Sequence, residues 1–263
     1  MVAAICRYTY DSRPKGKTAS LNYEEVQGVK AVKSWIGLIL FCASLGLAQD
    51  KGMFLSYHAE KAVEQTADPE SAFRQGIRGV VIDKSVLGPA VPMYRAEVRS
   101  RWTSEFVYFL FIGPYQKLTL NPDPDTIKET YRLWEKDCFE VYLGADSAHP
   151  NRYREFQMSP QGEFLDLDID STRAKPGFNG EDKWNAGMMV KARIDEKNKI
   201  WYGEMRIPIA AVDGRPAQAG HEMRINLFRQ DGAPPDRIFL AWQPPGVWNP
   251  HHPEKFGTLR LVR

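Results

Sequence analysis

Trp134-Glu135-Lys136-Asp137-Cys138-Phe139-Glu140-Val141-Tyr142-Leu143 is answered by Tyr153-Arg154-Glu155-Phe156-Gln157-Met158-Ser159-Pro160-Gln161-Gly162-Glu163-Phe164-Leu165-Asp166-Leu167-Asp168-Ile169-Asp170. Together they read as three strands in series. In the first, Phe139, Val141 and Leu143 alternate with Glu140 and Tyr142, the period-two pattern of a strand with one dry face and one wetter face. In the third, Leu165, Leu167 and Ile169 alternate with Asp166, Asp168 and Asp170. Ser159-Pro160-Gln161-Gly162 carries turn chemistry between the second and third. The product is an antiparallel meander.

The flanking sequence continues in the same manner. Residues 106–112 are apolar on both faces, as a central strand buried between two layers requires. They follow residues 94–102 across a tight hairpin at Thr103-Ser104. Residues 79–83, 187–194, 200–207, 222–229, 237–241 and 257–262 supply further strands, with a polar turn at Asp195-Glu196-Lys197-Asn198 and Pro208 ending its strand. Gly113-Pro114 and Asn121-Pro122-Asp123-Pro124 open a loop with one helical turn expected at 125–131. About ten strands and few short helices predict an all-β chain, a two-layer antiparallel β-sandwich. Residues 50–75 read as a short helix or an extended lead-in to it.

The order of these motifs resembles the family-9 carbohydrate-binding modules, sugar-binding relatives of the DOMON domains. That family's pattern runs Trp, a short gap, Asp, an acidic residue in an apolar strand, an aromatic-rich strand, a Pro-x-Gly turn and an Asp-bearing strand. Trp201-Tyr202-Gly203-Glu204-Met205-Arg206-Ile207-Pro208 is similar to its Trp-x-x-Glu-x-x-Ile-Pro strand. Residues 224–229, Trp242-Gln243-Pro244 and Phe256-Gly257-Thr258-Leu259 resemble its closing strands, so the likeness covers residues 73–262.

The resemblance implies a non-catalytic domain that holds a sugar end between two tryptophans. Trp134 aligns with the first, and Trp242 or Trp248 with the second. Glu140 aligns with an acidic residue that receives sugar hydroxyls, and Gln157 and Ser159 stand where the family tends to place Arg and Asn. Sugar rings need flat aromatic faces and preformed polar groups, because a buried polar group left unpaired costs about 1 to 3 kcal/mol. A straight strand would put Trp134 about 20 Å from Glu140, so the two share a sugar only if the chain bends near Asp137. Trp201, inside a strand, is expected in the core. Family members often hold a structural calcium, and Asp166, Asp168 and Asp170 are its candidate ligands, since three like charges on one face need solvent or a cation.

Two other functions use the same residues. A haem-b electron-transfer domain of the DOMON type would take axial ligands from Met158, Met188, Met189 or Met205 and a histidine. A glycoside hydrolase would need two facing carboxylates, with Glu140 and Asp166 as the pair. His58, His149, His221, His251 and His252 show no metal-ligand spacing.

Composition narrows the class. The 263 residues are 43% hydrophobic, 26% charged and 12% aromatic, those of a soluble domain rich in rings. Net charge is +2. The first 48 residues hold six basic and three acidic groups, leaving 29 basic against 30 acidic in the remainder. A body this close to neutral lacks the footprint of a nucleic-acid binder.

Residues 29–48 have the form of a signal peptide: Lys30 and Lys33, an apolar run from Trp35 to Leu47, then Gly46 and Ala48 at the small-residue positions. Cleavage is expected after Ala48, releasing residues 49–263 as one secreted or periplasmic, monomeric domain with no membrane span. Residues 1–28 are polar and long for such a prelude, and a simple hypothesis starts translation near Val29. Cys138 is then the one mature cysteine, read as a small packed residue with no catalytic role.

Overall fold

The structure is a computed structural model that describes residues 52–62, 64–71, 74–172 and 184–263. The export segment expected over residues 1–48 lies outside the described residues. No described helix is long and apolar enough to cross a membrane.

Thirteen strands form the framework of the described chain: β1 (Met53–His58), β2 (Val80–Ile82), β3 (Lys84–Ser85), β4 (Ala96–Trp102), β5 (Phe106–Pro114), β6 (Cys138–Gly144), β7 (Arg152–Met158), β8 (Phe164–Asp170), β9 (Met189–Asp195), β10 (Ile200–Pro208), β11 (Glu222–Asp231), β12 (Ile238–Ala241) and β13 (Gly257–Val262). Helix is confined, among the described residues, to four single 3-10 turns. The all-β expectation therefore holds. The helical turn expected at 125–131 does not form; Asp125 Oδ1 instead accepts the N–H groups of Ile127 (2.8 Å) and Lys128 (3.0 Å), which folds the backbone around the aspartate.

The strands hydrogen-bond as one continuous sheet in the order β8-β7-β6-β11-β13-β1-β4-β5-β10-β9. The purely antiparallel expectation fails at β1, which runs parallel to both β13 and β4. Residues 53–58 are thus an internal strand and not a lead-in. Its buried positions are Phe54 and Ser56, and the Ser56 hydroxyl meets that of Ser100 on β4 at 2.8 Å.

The sheet curls so that its two ends face each other. Phe139 on β6 stacks on Phe111 of β5 at 4.5 Å and on Trp201 of β10 at 4.3 Å between ring centroids. Glycines at the contact make the approach possible. A Cβ at Gly203 of β10 would lie 2.7 Å from Met158 Sδ on β7, and one at Gly113 of β5 the same distance from the Phe139 ring. The core fills this inner face. A second apolar cluster lies on the opposite face of β6, β7, β8, β11 and β12, under the loops that carry Trp134 and Phe256.

Candidate functional site

Along β6 the inward residues Phe139, Val141 and Leu143 belong to the core, and Cys138, Glu140 and Tyr142 point to the other face. That face is not wet: every residue of β6 is buried, with Glu140 and Tyr142 each 1% exposed. What covers them is a pair of loops. The first comes from β5 and turns sharply just before β6, where Arg132 adopts a left-handed φ of 64° and residues Leu133–Glu135 make one 3-10 turn. This is the bend near Asp137 that the Trp134 to Glu140 spacing demanded.

The turn is tied down from the strand side. Asp137 Oδ1 accepts the Gly232 N–H at 2.6 Å, and the Arg237 guanidinium donates to the carbonyls of Glu135 and, at 3.3 Å, Gly232. Leu133 is buried beneath it, and Tyr131 meets the Trp134 ring edge-on at 5.5 Å. The second loop, between β12 and β13, is held by Asn226, whose amide donates to Gln243 O at 2.8 Å and whose Oδ1 accepts the Gln243 N–H at 3.1 Å. It carries Trp248, which is 61% exposed.

Between the two loops lies a cavity of about 300 Å³. Trp134, Trp248, Tyr142 and Phe239 form its aromatic walls; Glu140, Glu155 and Gln230 form its floor; Arg237, Asn249 and His251 close its sides. A broader hollow of about 650 Å³ follows residues 215–222 and has no Trp, Tyr or Phe in its lining.

Of the expected sugar-contacting residues, Trp134, Glu140 and Trp248 come together in the cavity. Gln157 lies beside it, opposite Glu140 in the β6–β7 register, buried and donating its amide to Glu155 Oε1. Two others lie elsewhere. Trp242 is a core residue, 7% exposed, packed against Phe54 at 6.1 Å and over Gly257, because the strand end that carries it turns its ring inward. Ser159 holds the β7–β8 turn: its hydroxyl donates to Glu163 Oε2 at 2.9 Å and accepts the N–H groups of Gln161 and Glu163. Ser159→Ala should lower stability by about 1.5 to 3 kcal/mol, the usual loss for a hydrogen bond to a carboxylate, and leave ligand affinity unchanged. Urea unfolding and a binding titration on the one variant check both halves.

Asp166, Asp168 and Asp170, the expected calcium ligands, each have a partner within the protein. Asp168 pairs with Arg154 and Asp170 with Arg152 on β7, while Asp166 turns away to accept the Ala186 N–H at 3.1 Å. Arginine supplies the cations that the repelling row needed. Among the described residues, no three His, Cys, Asp or Glu are placed to hold a metal ion. Asp166 also cannot pair with Glu140, since it sits opposite the inward Phe156 on the other face of the sheet. Met158, Met188 and Met205 are buried away from the cavity and Met189 is exposed, so none of the four stands beside His251.

The floor holds residues that sequence reasoning passed over. Glu155 has the same face as Gln157, two positions earlier on β7, and Gln230 lies one residue beyond the expected end of its strand. Glu140 and Glu155 are diagonal neighbours across adjacent strands, roughly 7 Å between Cβ atoms for such a pair. Burial raises both carboxyls, Glu140 to about 7 and Glu155 to about 8, and the nearness of Glu140 pushes Glu155 further. Burial, and then His252, lowers His251 to about 4, so its imidazole is neutral and Nδ1 can accept the Tyr153 hydroxyl at 2.7 Å.

Solved structures with this arrangement of strands are known. A family-9 carbohydrate-binding module from Caldicellulosiruptor kristjanssonii, solved in complex with cellotriose, aligns over 80% of this chain and 93% of its own, at 12% identity and a TM-score of 0.56. The chain has the fold of the family-9 carbohydrate-binding modules. The glucose complex of a family-9 module from the same organism gives a TM-score of 0.56 at 12% identity, over 80% of this chain and 96% of that one. A provisionally assigned carbohydrate-binding protein from Bacteroides uniformis aligns with this chain at a TM-score of 0.61 and 18% identity, over 80% of this chain and 98% of its own. No family model and no curated protein matches the sequence.

Proposed function

We propose that this domain binds the end of a saccharide in the cavity between Trp134 and Trp248 and does not cleave it. One observation carries the reading: two indoles from separate loops and a buried carboxyl from β6 line a single cavity. At about 300 Å³ the cavity stands at the lower end of the usual range for ligand sites, which suits a chain end better than a threaded chain. The facing halves of the curled sheet serve as the two layers of a sandwich, with the site on the outer face of one. The neighbours solved with cellotriose and glucose have the same fold.

The neighbours solved with cellotriose and glucose are binding modules, which favours binding over hydrolysis. We place the domain outside the cytoplasm on the strength of the signal-like residues 29–48.

Trp134→Ala should weaken binding of cellotriose or glucose by about 1 to 3 kcal/mol, as the loss of a stacking platform does elsewhere. Isothermal titration of both proteins measures it. Affinity left intact in Trp134→Ala and Trp248→Ala alike would remove the cavity from the binding site.

A further inference from the structure

The floor of the cavity is rich in acceptors and poor in donors. Glu140 Oε1 accepts from the Gln230 amide at 3.3 Å and the Cys138 thiol at 3.6 Å, while its Oε2 has no partner. Glu155 Oε1 accepts from Gln157, and its Oε2 likewise has none. The two residues are 1% and 3% exposed, so water cannot freely make good the deficit. Buried acceptors without donors are expensive, and a site that keeps two of them is matched to a ligand that donates.

The charges around the pair sharpen this. Tyr142 on β6 lies close to both carboxyls and has a single proton to give. Arg237 stands near Glu140 and gives two of its five guanidinium N–H groups to the Glu135 and Gly232 carbonyls. His251, from the loop before β13, is uncharged. Gln157 on β7 and Gln230 on β11 are neutral, and the buried Cys138 thiol is held protonated. The pocket is therefore a floor of two carboxyls that a bound cation would ionise, under four aromatic rings whose faces attract cations as well as sugar C–H groups.

A neutral pyranose hydroxyl brings one proton together with lone pairs, and the two unpartnered carboxyl oxygens of the floor, once ionised, can use only the proton. An alkylammonium brings three protons and no lone pair. Resting on the saccharide reading of the same site, we propose that the preferred ligand is an amino sugar with a free, protonated amine, its ammonium seated between Glu140 and Glu155 and its ring against Trp134 and Trp248. The chemistry excludes the N-acetylated sugar, whose amide has one N–H, no charge and added bulk.

Titrating the whole chain at pH 7 with a fully deacetylated glucosamine trimer, the N-acetylglucosamine trimer and cellotriose tests this. The glucosamine trimer should bind at least ten times more tightly than either of the others. In Glu155→Gln the ratio should fall towards one, with near-ultraviolet circular dichroism confirming that the variant is folded. Titrations in buffers of different ionisation heat should show protons leaving the protein when the glucosamine trimer binds, and fewer or none with cellotriose. Affinity for the amine should pass through a maximum between the pH at which the carboxyl pair ionises and the pH at which the ligand's amine loses its proton.

Cellotriose binding as tightly as the glucosamine trimer would overturn the inference and leave the saccharide reading standing. So would a tenfold preference that survives in both Glu155→Gln and Glu140→Gln. If none of the three binds, and Trp134→Ala changes nothing, both readings fall together.

Discussion

Glu204→Ala is expected to destabilise the domain by about 3 to 5 kcal/mol, the range for removing one partner of a buried ion pair. Glu204 lies mid-strand on β10, opposite Leu110 of β5, on the face away from the core. Its Oε1 is paired with the Arg74 guanidinium, and the two side chains are 3% and 1% exposed. Its Oε2 accepts the backbone N–H groups of Thr66 at 3.2 Å and Ala67 at 3.0 Å. One carboxylate thus holds the segment before β2 against the back of the sheet. Truncation strips a buried cation of its counter-charge and leaves two backbone donors unmade. Glu204→Gln, which keeps an acceptor for those donors but not the charge, should fall between wild type and Glu204→Ala in urea unfolding. A loss below about 1 kcal/mol for Glu204→Ala would mean that the pair contributes no more than an exposed one.

Ligand-free protein should be more stable near pH 5 than near pH 8, the reverse of what acid-sensitive ion pairs produce. The folded carboxyls of Glu140 and Glu155 stand at about 7 and about 8, raised chiefly by burial, whereas in the unfolded chain both titrate near the ordinary glutamic acid value. Between about pH 4.5 and 8 the native state keeps protons that the unfolded state has released, so stability falls as pH rises. Each group adds a slope of at most about 1.4 kcal/mol per pH unit inside its window. Asp166, raised by burial and then Glu129 to about 7, and Asp137, raised by burial to about 6, act in the same direction. Two groups oppose them. Asp213, pushed up by burial and brought down by Arg215 and His221 to about 2, acts only below this window. His251, lowered to about 4, acts between about pH 4 and 6.5 as one group against four. Urea midpoints at pH 5, 6.5 and 8 measure the slope. The Glu140→Gln, Glu155→Gln double variant should flatten it and be the more stable protein at pH 8. Midpoints that climb from pH 5 to 8 would refute the assignment.

The all-β class was legible because alternation over residues 139–143 and 164–170 survives folding, and the strands found there are β6 and β8. What alternation could not convey is that both faces of β6 are covered. Glu140 and Tyr142 look solvated in sequence and are sealed by loops whose closure depends on Asp137, Arg237 and Asn226, contacts between residues far apart in the chain. β1 escaped notice because its buried positions are Phe54 and Ser56, and a serine satisfied by another serine does not register as apolar. Trp242 and Trp248 were indistinguishable by type and spacing. The five residues between them carry the chain from the core, over Gly246 at a φ of 86°, to the exposed loop. Trp134 and Glu140 were found because motif order pointed to them, and Glu155 was missed because nothing in the order did.

In β1 and β13 the first described strand and the last run side by side, with Met53 level with Thr258. Neighbours so distant along the polypeptide form late, after a large loop has been closed. A ribosome making this domain from its amino end must release the final residues before the seam can be sewn. Until then β1 and β11 have exposed flanks, and the nascent chain remains open, threadable and dependent on whatever shields it.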